Sequence, residues 1–392
     1  MGDFIDSLKL MFPLKAKDKI AVAHFSEFLG EKEVKTLEKS LKQGKVKIGE
    51  GHLGLSVVAD DPFHVLEVKN HKEEMIKFID SVNKKSEENH KSKLFAEMSK
   101  GINKIMERFI APQIVGLEGA KEAAMLQLFS KETVNILLIG DPGTGKTEVL
   151  RSVEEIAPIA SFGLGSGTSG VGLTVAISGK EMQKGLLPLA HNGIACIDEL
   201  NLIKKDDLGS LYNAMEKGYV TYDKGGKHIR FDAKVSVLAT ANPRYSQFLG
   251  KSAEQLKKEL PFEAALLTRF HLVFFVRKPN LEKFMKITKK ILQKDDTTNE
   301  HDKSLMKDYV TFAKQGTAEL PKELEGRILD FVAKIKKDEN KFMVEVNPRM
   351  VLGIVRLCKA SALMELRDKV TEADVKRVLK IFEESLYPTK TI

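Results

Sequence analysis

The residues best suited to chemistry begin with a glycine-rich loop. The apolar stretch VNILLIG at 134–140 leads into it, and the helical stretch TEVLRSVEEI follows. A strand, a G-x-x-x-x-G-K-[ST] loop and a helix in this order let backbone N–H groups and a helix N-terminus surround phosphate oxygens. The loop consists of Gly140, Asp141, Pro142, Gly143, Thr144, Gly145, Lys146 and Thr147, and Glu148 follows it. We predict that these residues bind a nucleoside triphosphate.

Two loop residues and an acidic pair farther along have side chains for specific tasks. Lys146 is expected to reach the β- and γ-phosphates of ATP, and Thr147 to offer its hydroxyl to Mg²⁺. Asp198 and Glu199 follow the apolar stretch IACI, which predicts a buried strand. At the carboxyl end of that strand, Asp198 would support the Mg²⁺ shell and Glu199 would polarise the attacking water. An acidic pair alone also fits a solvated strand end or a helix N-cap.

A third apolar stretch, VSVLAT at 235–240, is followed by Ala241, Asn242 and Pro243. A polar side chain at this strand end can reach the γ-phosphate or the attacking water, so we predict that Asn242 senses the state of the nucleotide. Without the two preceding motifs, an Asn-Pro pair would indicate only a turn.

Residues 219–231 have the pattern of a β-hairpin. Apolar and polar residues alternate on both sides of the DKGGK segment at 223–227, which supplies the turn. Lys224 and Lys227 lie at the predicted tip. A basic tip can contact the phosphates of DNA of any sequence, which suits a translocase, whereas a solvated charged turn that resists aggregation is the alternative.

The elements that must position these residues indicate an α/β fold. Continuous apolar runs at 134–140, 194–197, 235–240 and 272–276 alternate with helical segments, which predicts a parallel sheet covered by helices on both faces. Only helical periodicity remains after Leu281, including a helix that begins at Asn347 with Pro348 in its first position. A capping pair of Thr371 and Asp374 precedes the last helix.

We divide the chain into three parts. Residues 1–95 form a small α/β module with strands at 18–25, 53–59 and 63–68, a helix at 32–44 and a polar helical linker near 81–93. The second part, 96–280, is the nucleotide-binding core, and the third, 281–392, is a helical lid.

Composition excludes several classes of protein. The 392 residues carry 63 Lys+Arg against 55 Asp+Glu, a formal net charge of +8, which favours a polyanionic partner. Two cysteines, Cys196 and Cys358, are too few for a disulfide framework or a cysteine-rich zinc site. We expect no zinc and, since no apolar run approaches membrane-spanning length, no membrane segment. The expected location is cytoplasmic, with nucleoid association if the source is prokaryotic.

From 110 to 386 the chain resembles the minichromosome maintenance (MCM) branch of the AAA+ ATPases. The matching segments, in order, are IAPQIVGLEGAKEAAMLQLF, GDPGTGKT, GSGTSGVGLTVA, NGIACIDELN, LYNAMEKGYVTYDKGGKHIRFDAKVSVLATANP, LPFEAALLTRFHLVF, YVTFAKQGTAELPKE, NPRMVLGIVRLCKASALMEL and VTEADVKRVL. The resemblance implies a P-loop AAA+ core with a C-terminal helical lid, behind the small α/β N-terminal module.

The resemblance also implies roles that spacing alone does not give. Arg269, in LLTRF, matches the arginine finger, and Arg349, in NPRM, matches the sensor 2 arginine; in MCM rings both act on the nucleotide of a neighbouring subunit. Lys224 matches the lysine of the pre-sensor 1 hairpin, which follows the DNA backbone in the central channel. The implied activity is DNA-dependent ATP hydrolysis coupled to translocation or unwinding in replication, on single-stranded or forked DNA. The implied assembly is a homo-oligomeric ring, a hexamer by resemblance, or a hetero-oligomer with another MCM.

The sequence departs from the family pattern at several points. Residues 1–95 do not resemble the family's usual N-terminal region with its zinc site and oligonucleotide-binding fold, and we expect no winged helix between the lid and Ile392. The segment between Gly172 and His191 is shorter than the family's helix-2 insertion, and the loop has Gly145 where a small non-glycine residue is usual. His271 replaces the aspartate after the arginine finger, and we predict a packing role for it.

Two alternatives stay open. A protein-remodelling AAA+ ATPase of the MoxR or chelatase type shares the hairpin but works on polypeptides. A truncated MCM paralogue with a regulatory role would keep the ATP motifs without unwinding DNA.

Overall fold

The computed structural model describes residues 46–49, 56–59, 91–167, 170–178, 181–224, 227–245, 247–249, 252–279, 281–292 and 299–386. The chain divides into two compact units, Met1–Met98 and Ser99–Ile392.

In the first unit, strands β1 (Val46–Gly49) and β2 (Ser56–Ala59) pair antiparallel. Strand β2 confirms part of the strand predicted at 53–59, whereas β1 was not predicted. The strands predicted at 18–25 and 63–68 and the helix at 32–44 lie outside the described residues. Residues 91–98 of this unit are helical.

The second unit combines strands with helices. Its strands are β3 (Ile136–Gly140), β4 (Ala160–Leu164), β5 (Val175–Ser178), β6 (Glu181–Lys184), β7 (Ile194–Asp198), β8 (Tyr219–Lys224), β9 (Lys227–Asp232), β10 (Ser236–Ala241) and β11 (Leu272–Val276). Its α-helices are α1 (Ile102–Glu107), α2 (Glu118–Phe129), α3 (Lys146–Ile156), α4 (Gly170–Thr174), α5 (Leu186–Leu189), α6 (Leu208–Lys217), α7 (Ala253–Lys258), α8 (Ala264–Leu267), α9 (Leu281–Leu292), α10 (Glu300–Ala313), α11 (Glu325–Lys337), α12 (Pro348–Met364) and α13 (Glu372–Leu386).

A five-stranded parallel sheet of order β11-β3-β10-β7-β4 forms the centre of this unit. The four predicted strands are all present, and they occupy adjacent positions. Edge strand β4 was missed because its sequence, ASFGL, is only partly buried and contains a serine and a glycine in place of branched apolar residues. Since all the strands run the same way, the carboxyl ends of β3, β7 and β10 meet at one edge of the sheet.

Both faces of the central strands are buried. Leu137 and Ile139 of β3 point into an apolar cluster that includes Leu211 of α6 and Val220 of β8. On the opposite face, Cys196 of β7 lies with its sulfur 3.6 Å from the carbonyl of Leu150 in α3. Burial raises the pKa of this thiol far above its usual range, as expected for an inert core cysteine. The all-apolar strand sequences thus reflect a sheet covered on both sides.

The lid helices begin where the sequence predicts. The Oδ1 of Asn347 accepts from the N–H groups of Arg349 and Met350, with Pro348 in the first position of α12. At the start of α13, the Oδ2 of Asp374 in the first turn accepts from the N–H of Thr371 at 2.8 Å, which confirms the capping pair. Among the described residues, no helix is long and apolar enough to cross a membrane.

His271 packs between the sheet and the lid. Its Nδ1 accepts a hydrogen bond from the Asn135 N–H at 2.9 Å, and its Nε2 lies 3.1 Å from a guanidinium nitrogen of Arg356. Its side chain is also close to Gly353 of α12, where a Cβ would meet the His271 Cβ at 2.9 Å. Burial, then the positive charges of Arg356 and Arg349, lower the pKa of His271 to about 3. The predicted packing role is confirmed, and the ring is neutral at pH 7.

This neutral histidine makes folding stability depend on pH. The unfolded chain takes up a proton below the ordinary pKa of 6.5, whereas the folded chain does so only near 3, so protonation favours unfolding between these values. We expect wild type to lose about 1.4 kcal/mol more unfolding free energy than His271→Asn between pH 7.5 and 5.5. Asparagine offers an acceptor to Asn135 but does not titrate. Urea unfolding at both pH values measures this difference, and equal losses in the two proteins would contradict it.

Candidate functional site

The glycine-rich loop connects the carboxyl end of β3 to the first residue of α3, Lys146. Lys146 is buried, and its ammonium group donates to the carbonyls of Gly140 and Asp141, both at 2.7 Å. Burial lowers the pKa of Lys146 to about 8, although Asp141, Asp198 and Glu199 act in the opposite direction. A buried cation at the N-terminus of a helix is an electrostatic site for phosphate oxygens.

Gly145 suits the loop for two structural reasons. Its φ of 84° lies in the left-handed region, which glycine adopts without strain. A Cβ at this position would also lie 2.7 Å from the side chain of Ile114. The glycine that departs from the family pattern is therefore the residue type that this backbone accommodates.

The end of β7 brings Asp198 to the loop. The hydroxyl of Thr147 donates to Oδ2 of Asp198 at 3.0 Å. Asp198 is buried and accepts a second hydrogen bond from the hydroxyl of Thr240 in β10. A hydroxyl and a carboxylate oxygen in direct contact form a set of hard oxygen donors that fits Mg²⁺. Thr147 and Asp198, predicted as metal ligands from separate motifs, are thus neighbours.

Glu199 has an unusual backbone. Its φ of 54° is left-handed, which is uncommon for a residue with a side chain and costs about 1 kcal/mol or more. Two contacts hold it there: the Glu199 N–H donates to the Thr240 hydroxyl at 2.9 Å, and Gly165 packs so closely that a Cβ would lie 2.1 Å from the Glu199 carbonyl oxygen. Strain of this kind is typical of functional sites.

The end of β10 is also connected to this edge. The N–H of Asn242 donates to the side-chain oxygen of Asn201 at 2.9 Å, which links the turn after β10 to the turn after β7. Five predicted site residues therefore meet at the carboxyl edge of the sheet, namely Lys146, Thr147, Asp198, Glu199 and Asn242.

Other residues of the predicted nucleotide loop have structural contacts. The two carboxylate oxygens of Asp141 accept from the N–H groups of Phe248 and Lys278, at 2.8 and 2.9 Å. The hydroxyl of Thr144 donates to the Asp141 carbonyl at 2.8 Å. Glu148 is exposed and accepts from the Gln113 side chain at 3.3 Å. The Asp141 side chain thus fastens neighbouring segments to the loop, so that only its backbone is available to phosphate.

Arg269 lies at the opposite end of the sheet. The Asn135 side chain, just before β3, donates to the Arg269 carbonyl at 3.1 Å, whereas the glycine-rich loop from Gly140 to Thr147, which we call the phosphate loop from here on, follows the end of β3. At a strand rise of about 3.3 Å per residue, Asn135 and Asp141 are separated by roughly 20 Å. Arg349 is close to Arg269, because its guanidinium donates to the Thr268 carbonyl at 3.3 Å. Neither arginine is positioned to reach the phosphate loop of its own chain.

The hairpin is present, with a shorter turn than predicted. Strands β8 and β9 pair antiparallel from Tyr219↔Asp232 to Lys224↔Lys227. The prediction assigned 223–227 to the turn, but Asp223, Lys224 and Lys227 belong to the ladder. The lysine side chains lie outside the described part of the chain, and their contact with DNA stays a prediction.

The segment after Gly172, shorter than the family insertion, forms a second antiparallel pair that sequence reasoning did not predict. Strands β5 and β6 pair from Val175↔Lys184 to Ser178↔Glu181, between helices α4 and α5.

Sequence reasoning missed several residues of the site. Thr240 could have been found, since it lies near the carboxyl end of a predicted strand next to β7. Asn135, which connects β3, β10 and the Arg269 segment, carries no motif. Glu216 contacts Arg269 and Arg349, and the second of these pairs spans 133 positions of sequence. No local pattern indicates such a pairing.

Comparison with known proteins agrees with this architecture. Residues 88–295 match the family model described as the MCM P-loop domain, and residues 304–386 match the MCM AAA-lid domain. The chain is 31% identical over 303 residues to DNA replication licensing factor mcm7 of Xenopus tropicalis, covering 70% of this chain and 42% of that protein. It is 29% identical over 304 residues to the minichromosome maintenance protein MCM of Saccharolobus solfataricus, covering 71% and 44%. The chain therefore spans less than half the length of these relatives.

Proposed function

The chain belongs to the MCM family of AAA+ ATPases, and on that premise we propose that it hydrolyses ATP at sites shared between neighbouring subunits and couples hydrolysis to movement along DNA. The names of its relatives, replication licensing and minichromosome maintenance proteins, suggest a role in DNA replication inside the cell. The assembly that we propose is a ring, a homohexamer or a hetero-oligomer with another MCM protein.

Within one subunit, the carboxyl edge of the sheet would bind ATP and carry out hydrolysis. The backbone N–H groups of the loop from Gly140 to Thr147 would hold the phosphates, and Lys146 would neutralise charge on the β- and γ-phosphates. Glu199 would orient and polarise the water that attacks the γ-phosphorus in line with the leaving oxygen. Asn242 would contact the γ-phosphate or that water. These roles are supported by the convergence of these residues on one edge of the sheet.

Thr147 and Asp198 would hold Mg²⁺, which, when bound, supplies positive charge to the β- and γ-phosphate oxygens. The hydroxyl of Thr240 donates to Asp198 and accepts from the Glu199 N–H, so it would keep the two acidic residues in a fixed relation.

The two arginines complete the site from a neighbouring subunit. This part of the proposal rests on their positions. Arg269 lies beside Asn135 and Arg349 lies beside Thr268, roughly one strand length from the phosphate loop of their own chain. An arginine there can contribute to hydrolysis only by reaching the nucleotide of another subunit, which corresponds to a head-to-tail interface that closes into a ring. Arg269 would then stabilise the charge that develops on the transferred phosphoryl group.

The β8–β9 hairpin would contact DNA through Lys224 and Lys227. Val220, at its base, is fully buried, so the base is fixed in the core while the ladder extends to the two lysines. Phosphate contacts by lysines are independent of sequence, as a protein that moves along DNA requires.

The test is ATP hydrolysis as a function of protein concentration, with and without single-stranded DNA. We expect specific activity that rises with concentration, because the sites form between subunits, and that rises further with DNA. Lys224→Ala combined with Lys227→Ala is expected to abolish the DNA stimulation and to reduce the slope of log affinity against log salt by about 0.7 for each phosphate that is no longer neutralised. Lys337→Ala with Lys376→Ala, on the lid, removes the same charge and serves as the control.

Two results would contradict the proposal, and a third would restrict it to ATP hydrolysis without unwinding. Hydrolysis that is independent of concentration would oppose shared sites. Hydrolysis that is indifferent to DNA but stimulated by unfolded polypeptide would favour a protein-remodelling ATPase. ATP hydrolysis that is DNA-stimulated without separation of a forked duplex would place the chain among regulatory paralogues.

A further inference from the structure

One carboxylate pairs with both arginines of the proposed interface. The Oε1 of Glu216 lies 3.0 Å from a guanidinium nitrogen of Arg269 and 3.0 Å from one of Arg349. The side chain of Glu216 is 35% exposed, and those of Arg269 and Arg349 are 18% and 36% exposed. A hydrogen bond from Arg349 and the charges of both arginines hold the pKa of Glu216 below its usual range. The carboxylate is therefore ionised at neutral pH.

This arrangement balances a repulsion. Two guanidinium groups that share one oxygen atom are close enough to repel each other, and the single negative charge between them offsets that repulsion. Removal of the charge would leave two partly buried cations side by side. The charge of Glu216 thus allows the guanidinium groups of Arg269 and Arg349 to lie next to each other.

Helix α6 provides a second contact for Arg269. Its guanidinium lies over the ring of Tyr212, 4.4 Å from the ring centroid, and Tyr212 precedes Glu216 by one helical turn. Another guanidinium nitrogen donates to the Ala265 carbonyl. Among the described side chains, the Nε of Arg269 is one of the buried polar atoms that lack a hydrogen-bond partner. One donor of this side chain therefore has no acceptor within the chain, although it is buried.

Glu216 also lies next to the base of the hairpin. Helix α6 ends at Lys217, and Gly218, whose N–H donates to the Ala214 carbonyl, joins it directly to β8. The Gly218 carbonyl accepts from the N–H of Ala233, which follows β9. Since this connection is one residue long and hydrogen-bonded on both sides, a displacement of the end of α6 is transmitted to both strands of the hairpin.

We infer that Glu216 is the positioning residue that holds Arg269 and Arg349 together for the nucleotide of a neighbouring subunit and links this pair to the β8–β9 hairpin. The inference rests on the proposed function. A γ-phosphate from the neighbouring subunit competes with Glu216 for the same guanidinium groups, so nucleotide binding alters the force on the end of α6. Hydrolysis and phosphate release restore the pairing with Glu216.

The experiment compares Glu216→Gln, Glu216→Asp and wild type in the full chain. We expect Glu216→Gln to lower kcat about tenfold with little change in KM, because the nucleotide is bound mainly by the other subunit. Glu216→Asp keeps the charge on a shorter side chain, so its kcat is expected to lie between those of wild type and Glu216→Gln. The ratio of rates with and without single-stranded DNA is expected to fall in Glu216→Gln. Glu132→Gln, which removes the 2.9 Å pair with Arg356, is the control for breaking a glutamate–arginine ion pair elsewhere in the chain.

A double-mutant cycle with Arg349→Ala, read by single-turnover hydrolysis, distinguishes positioning from a general structural effect. With Arg349 absent, no like-charged pair remains. Glu216→Gln is therefore expected to lower the single-turnover rate of Arg349→Ala less than about threefold. Three outcomes would overturn the inference. Glu216→Gln could lower the hydrolysis rate equally in wild type and in Arg349→Ala, it could keep the wild-type kcat, or Glu216→Asp could be no faster than Glu216→Gln. Full activity of Arg269→Ala would instead overturn the proposed shared site.

Discussion

Lys146→Ala is expected to lower ATP hydrolysis at least about 100-fold while the protein stays folded. The ammonium group is the buried cation of the phosphate loop, and alanine offers the phosphates neither charge nor hydrogen bond. Burial lowers the pKa of Lys146 to about 8, which means that the site without nucleotide carries the charged lysine at a cost in stability. The thermal midpoint of Lys146→Ala is therefore expected to equal or exceed that of wild type.

Steady-state hydrolysis, a fluorescent-nucleotide binding assay and thermal unfolding measure these effects. Lys131→Ala is the matched control, because Lys131 donates to the Gly316 carbonyl at 2.9 Å and precedes β3 at the other end of the sheet. The control is expected to keep wild-type hydrolysis. If Lys146→Ala hydrolysed ATP at the wild-type rate, the proposed site would be wrong. A large fall in its thermal midpoint would contradict the electrostatic interpretation of the buried ammonium.

Arg269→Ala is expected to lower hydrolysis by about 1,000-fold, and a mixture of variants is expected to restore part of the loss. A shared site needs Lys146 from one subunit and Arg269 from its neighbour. In an equal mixture of Arg269→Ala and Lys146→Ala subunits, about a quarter of random head-to-tail interfaces contain both native residues. The mixture is therefore expected to show about a quarter of wild-type activity, although each variant alone is nearly inactive.

The control for this experiment is subunit exchange. Donor and acceptor fluorophores on the two variants report whether mixed assemblies form. Mixed assemblies that stay inactive would mean that Arg269 and Lys146 act within the same chain, in spite of their positions at opposite ends of β3. Nucleotide binding by Arg269→Ala is expected to be near wild type, because the phosphate loop of each subunit is unchanged.

The sequence by itself determined the main elements of the core and predicted the chemistry that we propose. Strands β3, β7, β10 and β11 are recognisable because a parallel sheet covered on both faces requires unbroken apolar runs. The glycine loop, the acidic pair after β7 and the asparagine after β10 are local signals, since each consists of adjacent residues at a strand end. The caps of α12 and α13 are equally local, because each joins residues two or three positions apart.

Only the tertiary structure decided how these parts are arranged. Thr240 bridges Asp198 and the Glu199 backbone because β10 lies beside β7 in the sheet, an order that the chain sequence does not state. The partly buried edge strand β4 has too few apolar residues to be recognised, and its place is set by pairing with β7. The placement of Arg269 at the opposite end of the sheet follows from the parallel register of β11 with β3.

Glu216 shows the same limit most clearly. Its neighbours in sequence indicate only an amphipathic helix, whereas its partners, Arg269 and Arg349, come from the segment before β11 and from the start of α12. Ionic contacts are short-range in space and unrestricted in sequence, so no periodicity encodes them. Local order along the chain specifies strands, loops and caps, while the packing of the sheet against the lid determines which charges meet.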